Sequence, residues 1–356
     1  MAFFLCKGGI NTSDGNVSSG DILKDKIAYS NGKKVVGTIP SKSAASYTPS
    51  RSNQVISSGQ YLSGNQTIVG DSNLIAKNIK KGVSIFGVSG TCNELIDISN
   101  ISNAFVGDTV LINHAIYGDI PFIVIGRNHD ADNSVTLLTK DIVRLLPFDA
   151  KESSNTDDNR KSNGNNRYKY SNLLQWMNSD KAAGQWYTAQ HSADAAPDST
   201  SVVTFNPYSN VDGFLRGFSS DVVNQMITVD KTTALNTVTD GGGSEVVSSK
   251  IFLLSTTEVG LANENNIAEG KIYEYFSNNN VNSQRLAYPS TYCLNNAGGY
   301  TNNNFAFGKP WHWWLRTPSS VHSSYVHIVH ASGALGGSDA YYGSNGLRLA
   351  LSLKTT

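Results

Sequence analysis

Trp311-His312-Trp313-Trp314-Leu315-Arg316-Thr317-Pro318, answered by Gly346-Leu347-Arg348-Leu349-Ala350-Leu351-Ser352-Leu353, decides the reading of this chain. Three tryptophans within four positions carry a large apolar surface that must be buried or used in binding. In the second segment Leu347, Leu349, Leu351 and Leu353 alternate with Arg348, Ala350 and Ser352, the period of a half-buried strand. Between the two lies Ser319 to Asn345, where seven serines, three histidines, three tyrosines and four glycines leave room for few aliphatic residues. A rigid frame around a polar, aromatic, loop-like insert is the layout of a binding site carried on a scaffold.

Outward from that frame, 356 residues suffice for two domains, one with a substantial core. Charged residues make up 16% of the chain, against roughly 25% in ordinary soluble proteins. Asn, Ser, Thr and Gly fill the difference. The net charge is zero, so no basic field exists to recruit nucleic acid. Cys6, Cys92 and Cys293 are odd in number and far apart, which argues against a disulfide framework or a thiolate metal site. Met1 to Cys6 lacks the basic start of a signal peptide, and no apolar run is long enough to insert in a membrane. The expectation is synthesis in the cytoplasm without a signal peptide.

The first ninety residues differ from the rest. Ile22 to Ile39 holds Asn31-Gly32 between two short runs and predicts a hairpin with a type I′ turn. Ile75 to Thr91 repeats the pattern, with Phe86-Gly87-Val88-Ser89-Gly90-Thr91 beside Val35-Val36-Gly37-Thr38. Such repetition suggests stacked or intertwined β-structure. Residues 1–92 are therefore read as a β-rich module, 93–105 as a polar linker and 106–356 as the larger domain. There, Phe122 to Gly126 and Val135 to Leu138 predict paired strands around a turn at Asp130 to Asn133. Ser171 is placed to cap a short helix carrying Leu173, Leu174, Trp176 and Met177. Further helices are expected at Asp221 to Met226 and from Ser255-Thr256-Thr257-Glu258. Lys151 to Arg167 and Ser277 to Asn304 read as loops. The fold class is α+β.

The residues offer little support for catalysis. His327 and His330 stand three apart, and on a strand they face opposite sides, so they do not chelate together. Glu245, Glu258 and Glu264 are candidate paired carboxylates, yet nothing singles them out. Binding has positive support, because Tyr and His supply contact area and hydrogen bonds while Ser and Gly adapt, as in paratopes. The candidate receptor-binding residues are Ser319, His322, Tyr325, His327, Ser338, Asp339, Tyr341, Tyr342 and Asn345. An ordinary solvated loop pair is the plain alternative. The tryptophans are expected in the core, with Arg316 and Arg348 pairing buried acids or backbone.

Several of these segments together resemble a known family. Trp313-Trp314-Leu315-Arg316-Thr317-Pro318 and the terminal Gly346 to Leu351 match two hallmarks of a C-type-lectin-like domain of bacteria and phages, related to the formylglycine-generating enzymes. Leu137-Leu138-Thr139-Lys140, Tyr168 to Asn178 and Phe252 to Glu258 match further landmarks in the same order. Upstream, Val36-Gly37-Thr38-Ile39-Pro40, Gly59 to Gly64 and Gly82 to Val88 resemble a module of phage tail proteins and phage-tail-like bacteriocins of Gram-positive bacteria. The resemblance implies a tail fibre in a virion tail or extracellular phage-tail-like particle. It implies a homotrimer bound to other tail and baseplate proteins, adhering to a bacterial surface glycan or surface protein. The competing role is a structural baseplate component whose lectin-like domain packs on its neighbours. The Glu-Pro-Asn and Gln-Pro-Asp loops of calcium-dependent lectins are absent, and where the related enzymes use a cysteine pair only Cys293 lies in the domain. Neither a metal, a cofactor nor an enzymatic activity is expected.

Overall fold

The computed structural model describes residues 9–203, 205–277 and 281–355. Cys6 and the segment read for a leader lie outside the described residues. The chain divides into two compact units, 1–78 with 85–88 and 79–84 with 89–356. It is a strand-rich α+β protein with short helices.

In the smaller unit β1 (Ile27–Ser30) and β2 (Lys33–Val36) pair antiparallel. Asn31 and Gly32 both take positive φ (45° and 69°), as a type I′ turn requires. Next come β3 (Ser41–Lys42), β4 (Ala45–Tyr47), β5 (Tyr61–Leu62) and β6 (Gln66–Ile68). β3 pairs in parallel with β5, and β4 with β6.

The repeat seen in sequence is also a repeat of backbone bonding. In the first copy Leu23 bridges Ile39 in parallel, and the Ile39 N–H donates to the Ile22 carbonyl. In the second, Lys80 bridges Cys92, whose N–H donates to the Ile79 carbonyl. A Cβ on Gly37 would lie 2.1 Å from the Leu23 carbonyl oxygen, and one on Gly90 would lie 2.1 Å from that of Lys80. Only glycine fits either place. The second copy holds the two-residue strands β7 (Ser84–Ile85) and β8 (Val88–Ser89), with Phe86 and Gly87 both at positive φ. No apolar side chain between residues 9 and 78 is buried, while Tyr29, Tyr61 and Ile68 stand more than half exposed.

The larger unit contains β9 (Leu95–Ile96), β10 (Thr109–His114), β11 (Gly118–Arg127), β12 (Ser134–Thr139), β13 (Arg144–Leu145), β14 (Met226–Ile227), β15 (Val229–Ala234), β16 (Ser244–Ser249) and β17 (Ile251–Phe252). Then follow β18 (Trp313–Pro318), β19 (Tyr325–Val329), β20 (Leu335–Asp339), β21 (Gly346–Leu347) and β22 (Ala350–Lys354). One sheet runs β14-β22-β12-β11-β10-β9, with β17 also on β22; a second runs β13-β21-β18-β19-β20. The expected β11–β12 pair forms, with Ile123 opposite Leu138 and Val124 opposite Leu137. The segment read as a linker belongs to this unit. Leu95 and Ile96 pair with Thr109 and Val110, and Ile101 and Ala104 enter the core.

Three expectations about local structure change. The closing segment is not half-buried: Leu347, Leu349, Leu351 and Leu353 pack into one core, yet Arg348, Ala350 and Ser352 are buried on the opposite side. A second core, with Trp313, Leu315 and Ala350, lies there, so the strand is covered on both faces. The polar stretches read as loops contain α1 (Asp158–Asn163), capped by the Asp157 carboxylate accepting from the Arg160 N–H at 2.9 Å. They also contain two more short helices, Val281–Arg285 and Thr291–Asn295. Capping rather than apolar periodicity starts α1. Conversely, Ser255 and Glu258 exchange the two bonds of a capping box at 3.1 Å each, yet only a turn follows. Gly260 enters the left-handed region two residues later, at φ 70°. Ser171 does cap the helix Asn172–Met177, and Asp221 lies in the helix Ser220–Gln225.

What fastens the sheets together is polar. Arg316 on β18, fully buried, donates to Glu258 at 2.5 Å and to the carbonyls of Leu253, Thr232 and Glu269. Lys231 on β15 meets the other Glu258 oxygen at 3.0 Å and Asp130 at 2.5 Å, and Tyr273 donates to Asp130. Asp130 also accepts from Thr136 of β12 and Ser352 of β22. Burial pushes the Glu258 carboxyl up, but Arg316 and Lys231 more than offset this and hold it below the usual range. A depressed carboxyl contributes stability above its unfolded pKa and loses it as pH falls through the folded value. Replacing Glu258 by Gln leaves the buried Arg316 without its ion-pair partner and Lys231 with Asp130 alone. It is expected to destabilise the larger unit by about 3–5 kcal/mol at neutral pH, read from denaturant unfolding. The deficit should shrink in acid, and an unchanged midpoint would remove the network as the fastening.

Candidate functional site

β18 ends at Pro318, and the chain must turn to enter β19. The turn, residues 319–325, is bound at many points. The Ser319 N–H donates to the Tyr325 carbonyl at 2.9 Å, closing the loop on itself. The buried Asn166 amide reaches under it, donating to the carbonyls of His322 (2.6 Å) and Tyr325 (3.0 Å). Ser323 donates to Asp157 at 2.6 Å, and Thr237 bonds the Ser320 carbonyl through both its N–H and its hydroxyl. Glu264 accepts the Ser320 N–H at 2.6 Å. Burial raises the Glu264 carboxyl, but the bonds from Ser320 and Ser319 outweigh it and the net shift is downward. Side chains from segments 157–166, 237 and 264 thus hold one short loop, which leaves Val321, His322 and Tyr325 exposed.

The frame beneath is itself tied down. Asn236 donates to Asn166 at 2.9 Å and to Asp240 at 2.6 Å, and Asp240 pairs with Arg160 of α1. Asp149 accepts the N–H groups of Asn165 and Asn172, while burial, with Glu152 next to it, pushes its carboxyl well above the usual range. Arg167 grips Glu245 with two bonds, 2.9 and 2.7 Å.

Past the loop, the expected loop-like insert is largely a hairpin. β19 and β20 pair from Tyr325 opposite Asp339 to Val329 opposite Leu335. The nine residues singled out in sequence separate accordingly. His322 and Tyr325 lie side by side, ring centroids 5.6 Å apart, both exposed. The Tyr325 ring rests over Gly337, where a Cβ would come within 2.8 Å of it. Tyr341 and Tyr342 form a second pair at 4.7 Å, and the Lys151 ammonium lies 5.1 Å from the Tyr341 ring. Asp339 accepts from Ser324 at 2.9 Å, and Ser338 from Asn345 at 2.8 Å. Ser319, His327 and Asn345 are buried, so they frame the surface instead of forming it. His327 faces Glu264 at 3.3 Å, whereas His330, just past the end of β19, is exposed. Sequence reading missed Asn166 and Lys151, and offered Glu264 as a candidate paired carboxylate and not as a loop contact. Their signal is only tertiary, since each lies far along the chain from the residues it touches.

Other constellations resolve into separate local roles. Glu245, Glu258 and Glu264 each serve a different partner, Arg167, Arg316 with Lys231, and Ser320. Asp198 accepts from Thr200 and Ser201 in its own turn, and Asp194 from Gln190 and Asn172. Among the described residues, no cluster of three or more His, Cys, Asp or Glu is placed to hold a metal ion. Cys92 is exposed and Cys293 buried, both free. No helix among the described residues is long and apolar enough to cross a membrane.

Residues 133–355, which span β12 to β22 and every residue of this surface, match the family DUF6273, described as a domain of unknown function. The chain belongs to the DUF6273 family. No curated protein matches it, and no solved structure does. The buried Glu258–Arg316 pair, the Asn166 clamp and the β19–β20 hairpin all fall inside the DUF6273 domain, whereas β9, β10, β11 and the repeated module precede it.

Asn166→Ala removes the amide donor of the His322 carbonyl and leaves the Tyr325 carbonyl with the Ser319 N–H alone. Amide exchange at Ser319 should then quicken by at least about tenfold while Leu137 in β12 keeps its protection. Equal rates at Ser319 in both proteins would mean that Asn166 does not hold the loop.

Proposed function

We propose that this chain is the receptor-binding protein, or tail fibre, of a phage or phage-tail-like particle that adheres to a Gram-positive host. In this reading the larger unit has a C-type-lectin-like core. The observation that carries the proposal is the 319–325 loop, pinned from three other segments, with Val321, His322 and Tyr325 exposed upon it. A loop ordered before binding does not lose that conformational freedom on contact, which favours recognition by rigid aromatic side chains. Tyr342, with Tyr341 and Lys151 beside it, extends the exposed aromatic surface. The partner is a surface glycan or surface protein, and the work is adhesion without a catalytic step.

The smaller unit supports attachment or assembly. Its apolar side chains, Tyr29, Val55, Tyr61 and Ile68 among them, stand exposed with no core of their own to enter. Chains that expose this much apolar surface bury it against other chains. A homotrimer docked on tail or baseplate proteins satisfies that demand, and several copies per particle let weak single sites hold a cell. The protein is then made in the cytoplasm and acts from the particle.

The test is saturable binding of the labelled full chain to a panel of Gram-positive cells, compared with a variant carrying Tyr325→Ala, Tyr341→Ala and Tyr342→Ala. Expected is binding to at least one strain and a loss of affinity of at least about tenfold in a variant that unfolds at the same midpoint. Binding to purified baseplate proteins through the same tyrosines, with no binding to any cell, would replace adhesion by a structural role in the particle.

A further inference from the structure

A second concave site lies in the larger unit and shares no residue with the hairpin surface. It is a cleft of about 480 Å³ walled by Tyr117, Tyr288, Tyr292 and Phe307, with the carboxylates of Asp119 and Asp141 in its lining. Its volume is that of a small-molecule pocket.

The chain assembles it from four places. Tyr117 and Asp119 sit at the β10–β11 turn. Asp141 follows β12 directly, and the next residue, Ile142, bridges Pro289 in parallel. The Ile142 N–H donates to the Tyr288 carbonyl at 2.8 Å, and the Ser290 N–H donates to the Ile142 carbonyl at 3.0 Å. This stitching sets Tyr288 and Tyr292 beside Asp141. The Tyr117 and Tyr292 rings meet edge to face, 4.5 Å between centroids. Phe307 is 83% exposed, so one wall of the cleft is a free aromatic ring.

The carboxylate chemistry is the telling part. Asp119 accepts a bond from Asn113 at 2.8 Å, but among the described residues no hydrogen bond or ion pair reaches the Asp141 carboxylate. Burial pushes the Asp141 carboxyl up; the charges of Arg348 and Lys140 act the other way, without ion-pair contact. Among the described residues, no Lys, Arg, His, Asn or Gln side chain lines the cleft. Hydroxyls of Tyr117, Tyr288, Tyr292, Ser290 and Thr291 line the cleft and can donate or accept, but its charged groups are two carboxylates among aromatic faces, which repel an anion. They suit a positive charge, which the ring faces attract and the half-buried carboxylate neutralises.

We infer that this cleft binds a ligand bearing an ammonium group, amino-sugar or choline in size. The inference stands apart from the adhesion reading, because it concerns other residues and a small-molecule readout.

Calorimetric titration of the full chain with choline, glucosamine and N-acetylglucosamine tests it. Choline, glucosamine or both should bind saturably, and N-acetylglucosamine, of similar shape but neutral, should not. Asp141→Asn should weaken the ammonium ligand by at least about tenfold. Tyr288→Ala should do so as well, which keeps the test open if one variant fails to fold. A preference for choline would assign a methylated headgroup, and one for glucosamine an amino sugar, both in support of the site. Equal binding of N-acetylglucosamine, ammonium binding untouched in both variants, or binding of none of the three would overturn the inference.

Discussion

The larger unit depends on one buried arrangement of charge. Arg316 and Lys231 carry two positive charges into a dry interior, where Glu258 meets both and Asp130 meets Lys231. Glu269, also buried, lies beside Arg316, and burial raises its carboxyl above the usual range despite that charge. Buried pairs of this kind add little net stability over apolar packing, yet removing one partner is costly. Their role here is positional: the bonds run from β12, β15, β18 and β22 to the turns at Asp130 and Glu258, so these elements assemble in one arrangement or leave a charge unanswered.

That arrangement extends to the exposed loop. Arg316 and Thr317 lie near the end of β18, and Thr317 donates to Glu269 at 2.5 Å. Two residues later the Asn166, Thr237 and Glu264 contacts begin. Asn263, one residue before Glu264, donates to Glu269 as well. Thr317 and Asn263, both bonded to the buried Glu269, thus stand one or two positions from groups that shape the surface, and the position of His322 and Tyr325 is inherited from the core.

How much of this was legible in the sequence follows from the range of each interaction. The Asn31-Gly32 turn, the Ser171 cap and the β11–β12 pair depend on neighbours in sequence, and each was readable. The tryptophans of β18 are buried as their bulk demanded, with Trp313 and Trp314 donating to the carbonyls of Arg285 and Leu146. The polar face of the closing segment misled, because Arg348 hides its charge by stacking on Trp313 and bonding Thr139, and burial lowers its pKa to about 10. Nothing in the alternation of leucines reports a second core. α1 escaped notice because its start is a cap and not an apolar stripe. The site was half legible. Composition pointed to the stretch between β18 and β21, but telling exposed His322 from buried His327 required knowing that β19 is a strand with Glu264 across from it.

The order in which β-strands enter the main sheet has a consequence for how the protein is made. β22 sits between β12 and the pair β14 and β17, joining strands whose residues precede it by about a hundred to two hundred positions. A ribosome delivers β12 long before β22, so during synthesis β12 presents an open, apolar edge for the time needed to translate more than half the chain. Pairings this distant form slowly, and unpaired edges invite association with other nascent chains. Ser134 and Thr136, together with the Asp130 carboxylate at the mouth of that strand, give the waiting edge a polar side until Ser352 arrives to bond Thr136 and Asp130.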